Sequence, residues 1–248
     1  MRFRINFISD KKIQFSKDIN IRSVFISFIK KTFENENKLL YNSLFSIKKA
    51  RPYVFSPYFG EGFKEKEIGK EISFIFSSGD FSIFSAFWNG LLALKEKGLD
   101  YIKIKENKFS VQDITLLPAK KIKSNQVVFK TVGISVLTAP SAKANDFKKW
   151  YIIPEKENIE RFNEILRKRT AERLKFIKGV EKEVKLEFLF FEKKPIIETI
   201  VPHYNGYVRG FRGNFILKGD IEVLQFLYDY GLGVRTGQGF GLLDIVKE

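Results

Sequence analysis

Apolar residues change their period in a fixed order along this 248-residue chain, and that order restricts the fold more than any other feature. Phe3, Ile5 and Phe7 alternate with polar residues, as in a half-buried strand, whereas apolar residues at 21–33 recur every three or four positions, as in a helix. The first half continues with strand patterns at 53–55 and 71–76, a helical stripe at 83–92, and strand patterns at 101–104 and 109–116. Together these patterns predict the β-α-β-β-α-β order of a ferredoxin-like fold.

The second half of the chain repeats this order. Its strand patterns, helical stripes and final strand lie at 127–137, 157–177, 185–191, 207–217, 220–230 and 242–246. A polar stretch at 119–126 separates the two halves, as expected of a linker. We therefore expect an α+β protein of two tandem ferredoxin-like, RRM-like domains, at residues 1–122 and 123–248, the second carrying a C-terminal glycine-rich loop.

The glycine-rich loop packs five glycines and one arginine into eleven residues, 231–241. It follows a helix and precedes a strand, whereas Walker and dinucleotide-binding loops run from strand to helix. Glycine permits positive φ, and successive N–H groups in such a loop can face an anion. Turn and cap chemistry alone could explain Gly231 and Gly233 but not the whole set, so contact with an anionic backbone is favoured. The candidates are Gly231, Gly233, Arg235, Thr236, Gly237, Gln238, Gly239, Phe240 and Gly241.

The anion is expected to be a nucleic acid because the chain is strongly basic. It has 44 lysines and arginines against 29 acids, for a net charge of +15. A lysine-rich surface without such a partner is the alternative. The ion-pair networks of thermophile proteins, however, add glutamate together with lysine, and the acids do not match the lysines and arginines here. The absence of cysteine excludes disulfides and thiolate metal sites and favours an intracellular, cytoplasmic protein. No metal motif or membrane-length apolar run is present, so no metal, cofactor or membrane partner is expected.

Three further features have two interpretations each. Arg209 and Arg212 flank Phe211 and could contact phosphates, or the segment could simply be a strand with Phe211 in the core. His203, the only histidine, is a general acid or base candidate, although a loop position without a catalytic role is favoured. Six cations on the long helix could line a groove, but a solvated face is favoured: Arg161, Arg167, Lys168, Arg169, Arg173 and Lys175.

The segment 206–246, which ends in the glycine-rich loop, resembles the CRISPR-associated repeat-cleaving endoribonucleases of the repeat-associated mysterious protein superfamily. Residues 51–59 resemble the Phe-x-Ser-x-Leu/Phe strand of that family, and residues 88–91 also look similar. The resemblance implies two ferredoxin-like folds and binding of CRISPR repeat RNA. It also implies metal-independent cleavage by attack of a ribose 2′-OH on the adjacent phosphate, which yields a 2′,3′-cyclic phosphate and a 5′-OH. An interference complex and a homodimer are left open as partners.

Many members carry a catalytic histidine at a position that falls near Phe45, and no histidine occurs at 40–46. The resemblance places phosphate-stabilising cations at Lys49 and Arg51. It places a further catalytic side chain at Lys30 or Lys31, with Tyr41 or one lysine moving the proton. We therefore expect an endoribonuclease. A non-cleaving CRISPR RNA-binding protein of the same fold is the alternative, and an unrelated nucleic-acid binder is a broader one.

Overall fold

The computed structural model describes residues 1–14, 20–46, 49–60, 67–139, 146–191 and 195–248. In the first half, strands β3-β5-β1-β7-β6 form one antiparallel sheet, and β2 pairs with β4 in a short ribbon. The elements are β1 (Arg2–Ile8), β2 (Ile13–Gln14), α1 (Ile21–Glu36), α2 (Lys38–Phe45), β3 (Val54–Tyr58), β4 (Glu67–Ile68), β5 (Glu71–Ser77), α3 (Phe81–Glu96), β6 (Tyr101–Ile104) and β7 (Asn107–Leu117).

The second half contains a four-stranded sheet, β13-β8-β12-β9, and a separate hairpin formed by β10 and β11. Its elements are β8 (Gln126–Thr131), α4 (Phe147–Trp150), a 3₁₀ turn (Lys156–Asn158), α5 (Ile159–Lys178), β9 (Leu186–Phe190), β10 (Ile197–His203), β11 (Gly206–Arg212), β12 (Asn214–Gly219), α6 (Ile221–Tyr230), a 3₁₀ turn (Thr236–Gln238) and β13 (Leu243–Lys247).

Both sheets have the same connectivity once the added strand β6 and the hairpin β10–β11 are set aside. Numbered within its own half, each sheet runs fourth, first, third, second strand: β7-β1-β5-β3 and β13-β8-β12-β9. This is the β-α-β-β-α-β plan built twice, and it confirms the predicted α+β fold of tandem ferredoxin-like units. The boundary at 122/123 stays a prediction; it falls between the end of β7 and the start of β8.

The first half forms as the periodicity predicts because each element has one apolar face. Phe3, Ile5 and Phe7 of β1 are buried beneath α1 and α3. Asp80 caps α3 by accepting hydrogen bonds from the backbone N–H groups of the helix's first turn. Helices α1 and α3 cross closely at Gly90, where a Cβ would collide with the Thr32 carbonyl.

The structure differs from the sequence prediction in the second half. The strand predicted at 127–137 ends at Thr131, and Gly133, with a φ of 89°, turns the chain. The strand predicted at 207–217 is two strands, β11 and β12, separated by Gly213 with a φ of 144°. The sequence did not predict β10, which pairs with β11 from Ile197↔Arg212 to His203↔Gly206. Within the described ranges, no helix combines the length and apolar character that crossing a bilayer requires.

Candidate nucleic-acid interface

The glycine-rich loop is a closed and well-anchored structure that begins where α6 ends. It returns on itself and is held against residues 134–136 of its own half. Within the loop, the N–H group of Leu232 donates to the carbonyl of Gly241 at 2.8 Å. The N–H groups of Val234 and Gly241 donate to the carbonyls of Val136 and Ile134, also at 2.8 Å each. The loop therefore has a defined shape before any ligand arrives.

Two glycines of the loop are required by backbone approach inside the second half. Gly233 has a φ of 78° and lies directly against the Val136 carbonyl. Gly241 has a φ of 82° and lies directly against the Leu232 carbonyl. A Cβ at either position would overlap these carbonyls, and positive φ also disfavours other residues. Packing thus accounts for these two glycines, and their contact with RNA stays a prediction.

Two further glycines fit the loop against β3 of the first half. A Cβ at Gly231 would lie 2.8 Å from the Val54 side chain, and one at Gly239 would lie 3.1 Å from the Phe55 ring. Both glycines have positive φ and are buried. The loop therefore joins the two halves of the molecule as well as bordering a surface.

The accessible part of the loop is the arc 235–238, which contains the 3₁₀ turn Thr236–Gln238. Arg235 adopts a left-handed conformation with a φ of 61° and donates a hydrogen bond of 3.2 Å from Nη1 to Gln238 Oε1. Gly237 packs on Arg51 of the first half, whose Cγ would lie 2.5 Å from a Cβ at that glycine. Thr236 is buried beneath the arc. Arg235, Gly237 and Gln238 are thus the loop candidates with solvent access.

Arg173 anchors the start of the loop, a role that the sequence pattern does not predict. Its guanidinium is buried and donates to the carbonyls of Tyr230 and Gly231, at the C-terminal end of α6. A helix C-terminus has unpaired carbonyls and partial negative charge, which a cation satisfies. Burial lowers the pKa of Arg173 to about 10, which leaves it charged at neutral pH. The favoured interpretation of this helix as a solvated basic face is therefore wrong for Arg173.

Phe240 holds the other end of the loop and is fully buried. The Arg22 guanidinium lies 4.9 Å above its ring, and His203 meets it edge-on at 5.2 Å between centroids. Burial lowers the pKa of Arg22 to about 10. Nothing in the sequence pattern distinguishes Arg22 from other helix cations. Because the Phe240 ring has no solvent access, its evident contribution is to position the loop.

A cleft of about 770 Å³ lies between this arc and the first half. Among the residues that the structure describes, its lining contains six cations and a single carboxylate, Glu172, which forms an ion pair with Arg169 at 2.8 Å. The six cations are Lys30, Lys49, Arg51, Arg169, Arg173 and Arg235. The structure therefore brings three of the predicted catalytic cations together with the loop candidates Arg235, Thr236, Gly237 and Gln238. Such a concentration of positive charge favours an anionic ligand.

Phe45, where the family resemblance expects histidine, lies in this cleft between two cations. Lys30 Nζ is 5.5 Å and Arg51 Cζ is 5.2 Å from its ring centroid. Lys49 Nζ is 5.0 Å from the ring of Phe176 on α5. The aromatic faces hold these cations without neutralising them.

Lys31 and Tyr41 are not part of the cleft lining. Lys31 Nζ donates to the Leu99 carbonyl at 3.0 Å and lies 5.1 Å from the Tyr101 ring. Tyr41 packs on Phe45 from α2, with ring centroids 5.1 Å apart. Of the two adjacent lysines proposed for one catalytic role, Lys30 is the one that borders the cleft.

Arg209 and Arg212 have different environments on β11. Arg209 pairs with both carboxylate oxygens of Glu198, at 2.7 and 2.9 Å, and this hydrogen bonding holds the pKa of Glu198 below its usual range. Arg212 is exposed, and Phe211 between them is fully buried in the core. Arg212 thus remains available for a phosphate, whereas Arg209 is already neutralised.

The favoured loop position for His203 is wrong, because this residue ends strand β10 and is only 4% exposed. Its Nε2 is 3.0 Å from Gln238 Oε1, which also accepts from Arg235. Burial lowers the pKa of His203 to about 4, so the ring is neutral at pH 7. His203 therefore supports the arc of the loop. Apolar and polar residues alternate only weakly along β10, so the sequence does not indicate that His203 is buried at the end of a strand.

Comparison with known proteins agrees with this architecture. The family model for the C-terminal part of CRISPR associated protein Cas6 matches residues 117–245. An endoribonuclease-like Cas6 protein of Pyrococcus furiosus is 28% identical over 186 residues, which are 74% of this chain and 71% of that protein. Cas6nc of Pyrococcus horikoshii is 26% identical over 183 residues, 73% of this chain and 71% of that protein.

Solved structures show the same fold over the whole chain. A Cas6-related protein from Pyrococcus furiosus superposes with a TM-score of 0.79 at 23% identity, covering 100% of this chain and 99% of that one. A RAMP protein that binds different RNA substrates gives a TM-score of 0.79 at 22% identity, with both chains covered completely. A Cas6 product complex gives 0.69 at 13% identity, covering 99% of each chain. Since the family model spans more than half of its residues, this chain belongs to the CRISPR-associated Cas6 family.

Proposed function

We propose that this protein binds CRISPR repeat RNA in the cleft beside the glycine-rich loop and cleaves the precursor transcript within the repeat. The observation that carries the proposal is the convergence of Lys30, Lys49 and Arg51 from the first half with Arg235 from the loop around one cavity. Family membership and the names of the relatives, which include endoribonuclease-like proteins and a Cas6 product complex, support it.

The proposed reaction needs no metal ion. The ribose 2′-oxygen bonds to the adjacent phosphorus while the bond from phosphorus to the 5′-oxygen breaks. The 2′-OH gives up its proton and the leaving 5′-oxygen gains one, so a 2′,3′-cyclic phosphate and a 5′-OH result. Negative charge grows on the phosphorane-like transition state, and preorganised cations in the cleft stabilise it. Lys30, Lys49 and Arg51 supply that charge, and one of the two lysines moves the proton, because Tyr41 lies outside the cleft lining.

The absence of histidine from the cleft makes a modest rate the expectation. Positioned acid–base help adds about 10²–10⁴-fold to such reactions, and Phe45 supplies none. The same observation favours the second candidate, a non-cleaving CRISPR RNA-binding protein of the same fold. An interference complex and a homodimer stay proposals for either candidate.

The test is incubation of end-labelled repeat RNA with the protein in EDTA. Cleavage at one site with a cyclic phosphate end supports the enzyme, and a gel shift with intact RNA supports the binder. Alanine at Lys30, Lys49 or Arg51 is expected to slow single-turnover cleavage on the order of 10²-fold each. Lys97→Ala is the control, because Lys97 lies outside the cleft and donates to Asn35. Three alanine variants that cleave at the unmodified rate would contradict the proposed site.

A further inference from the structure

A second cavity of about 640 Å³ shares no lining residue with the cleft. It lies between the start of the chain, the linker at 119–122, the end of α5 and helix α6. Its walls are mainly apolar and include Ile122, Leu174, Val223 and Phe226. Val180 and Ile221 at its mouth are 43% and 42% exposed. Cavities of this size and apolar character are typical of ligand sites.

Two buried polar groups on its wall have no hydrogen-bond partner among the described residues. These are Nε of Arg2, a residue 4% exposed, and the hydroxyl of Tyr230, which is 1% exposed. The Tyr230 hydroxyl end lies beside Gly79, also on the lining, 3.0 Å from where a Cβ would stand. An unpaired buried polar group is unfavourable, so a hydrogen bond from a ligand to either one would favour binding.

The charge around this cavity favours an anion. Its lining carries the amino group of Met1, Arg2 and four lysines, against the carboxylates of Glu222 and Asp229. Two of the lysines, Lys120 and Lys182, form ion pairs. The other two, at positions 121 and 178, form none within the described part of the chain, and Lys178 Nζ lies 5.2 Å from the Tyr230 ring.

Helix α5 lies between this cavity and the cleft. Phe176, 45% exposed, lines the cleft, and Lys178 lines the cavity. The two residues are about 3 Å apart along the helix axis but point about 200° apart around it, so an RNA strand that reaches both must pass around the end of α5 at Lys178. The exposed ring of Phe176 is a suitable stacking surface for a base on that path.

We propose that this cavity binds one unstacked nucleotide of the RNA outside the cleaved segment. Its base occupies the apolar interior near Tyr230 and Phe226, and its phosphate contacts Lys121 and Lys178. This inference rests on the proposed RNA-binding function and adds a second, separate contact to it. The site contributes affinity and register and takes no part in the chemical step.

The first test fills the cavity from its mouth with Val180→Trp, a change at a partly exposed position that spares the core. Val246→Trp is the matched control, because Val246 is 49% exposed on β13 and outside the cavity. Val180→Trp is expected to weaken repeat RNA binding about tenfold, because it displaces the one base that the cavity holds. Cleavage at saturating RNA is expected to be unchanged. Equal affinities of the two tryptophan variants would overturn the inference.

The second test is independent of the first. The double variant of Lys121→Ala and Lys178→Ala removes the contact to one phosphate and is expected to reduce the salt dependence of RNA affinity by about 0.7 log units per log unit of salt. Photocrosslinking of repeat RNA that carries 5-iodouridine at successive positions is expected to label the peptide 221–230 at one position. No such crosslink, with an unchanged salt slope, would refute the site. Failure of the unmodified protein to bind repeat RNA would instead refute the proposed function.

Discussion

His203→Gln is expected to make the protein more resistant to mild acid, because His203 is buried as a neutral ring. The ring lies between the loop and strand β10, with Nε2 3.0 Å from Gln238 Oε1. Burial lowers the pKa of His203 to about 4, and the positive charges of Arg235 and Arg22 act in the same direction. Protonation of the folded ring would place a further charge beside these two arginines.

The magnitude follows from the two pKa values. In the unfolded chain the imidazole has a pKa of 6.5, against about 4 in the folded protein. The unfolded state therefore takes up the proton first, so this stability is complete above pH 6.5 and is lost as pH falls toward 4. At pH 5 the free energy of unfolding is expected to be lower than at pH 7 by about 2 kcal/mol from this group alone.

The assay is urea unfolding of the unmodified protein and His203→Gln at pH 7 and pH 5. Glutamine keeps an amide donor for Gln238 but does not titrate. The two proteins share all other titrating groups, and the chain has no second histidine. The difference between their free energies of unfolding therefore isolates the effect of His203. The stability difference is expected to shift by about 2 kcal/mol in favour of the variant at pH 5. An identical difference at both pH values would refute the reasoning that the ring is buried and neutral.

Two other substitutions test the anchoring of the loop by thermal or urea unfolding. Arg173→Met removes the donors to the end of α6 and is expected to cost about 3 kcal/mol, whereas Lys175→Met, at an exposed ion pair on the same helix, is expected to cost less than about 0.5 kcal/mol. Equal losses would contradict the capping role. Gly233→Ala is expected to lower the free energy of unfolding by more than about 3 kcal/mol, because the new Cβ collides with the Val136 carbonyl. Gly98→Ala is the control: its Cβ meets no atom within 4 Å, and the expected loss is about 1–2 kcal/mol. Similar losses for the two variants would argue against the collision.

The fold could be predicted from the sequence because most of its elements have one buried face. Strand β1 and helices α1 and α3 bury periodic phenylalanine and isoleucine side chains, and period alone distinguishes strand from helix. Strand β10 was missed because its hairpin is largely solvated and its isoleucines, Ile197 and Ile200, are about half exposed, at 46% and 52%. The predicted strand at 127–137 continued too far because Ser135 and Val136, beyond the turn at Gly133, form only isolated β-bridges.

The candidate site was only partly predictable. The resemblance selected Lys49, Arg51 and the loop, and the structure places them at one cleft. It could not select between Lys30 and Lys31, since adjacent helix residues point about 100° apart and only packing shows which borders the cleft. Arg173 was missed because a run of cations does not reveal which one meets the end of another helix. His203 was misassigned because its partner, Gln238, is 35 residues away in sequence.

The position of the glycine-rich loop links the assembly of the molecule to its chemistry. Gly231 and Gly239 contact β3, while Gly233 and Gly241 are fixed within the second half. Any change that tilts one half against the other must therefore also distort the cleft margin. Residues far from the cleft, such as those that pack Phe55 in its core, consequently influence the cleft through geometry alone. The mutual orientation of the two halves therefore sets the shape of the cleft, whereas its cations set the charge.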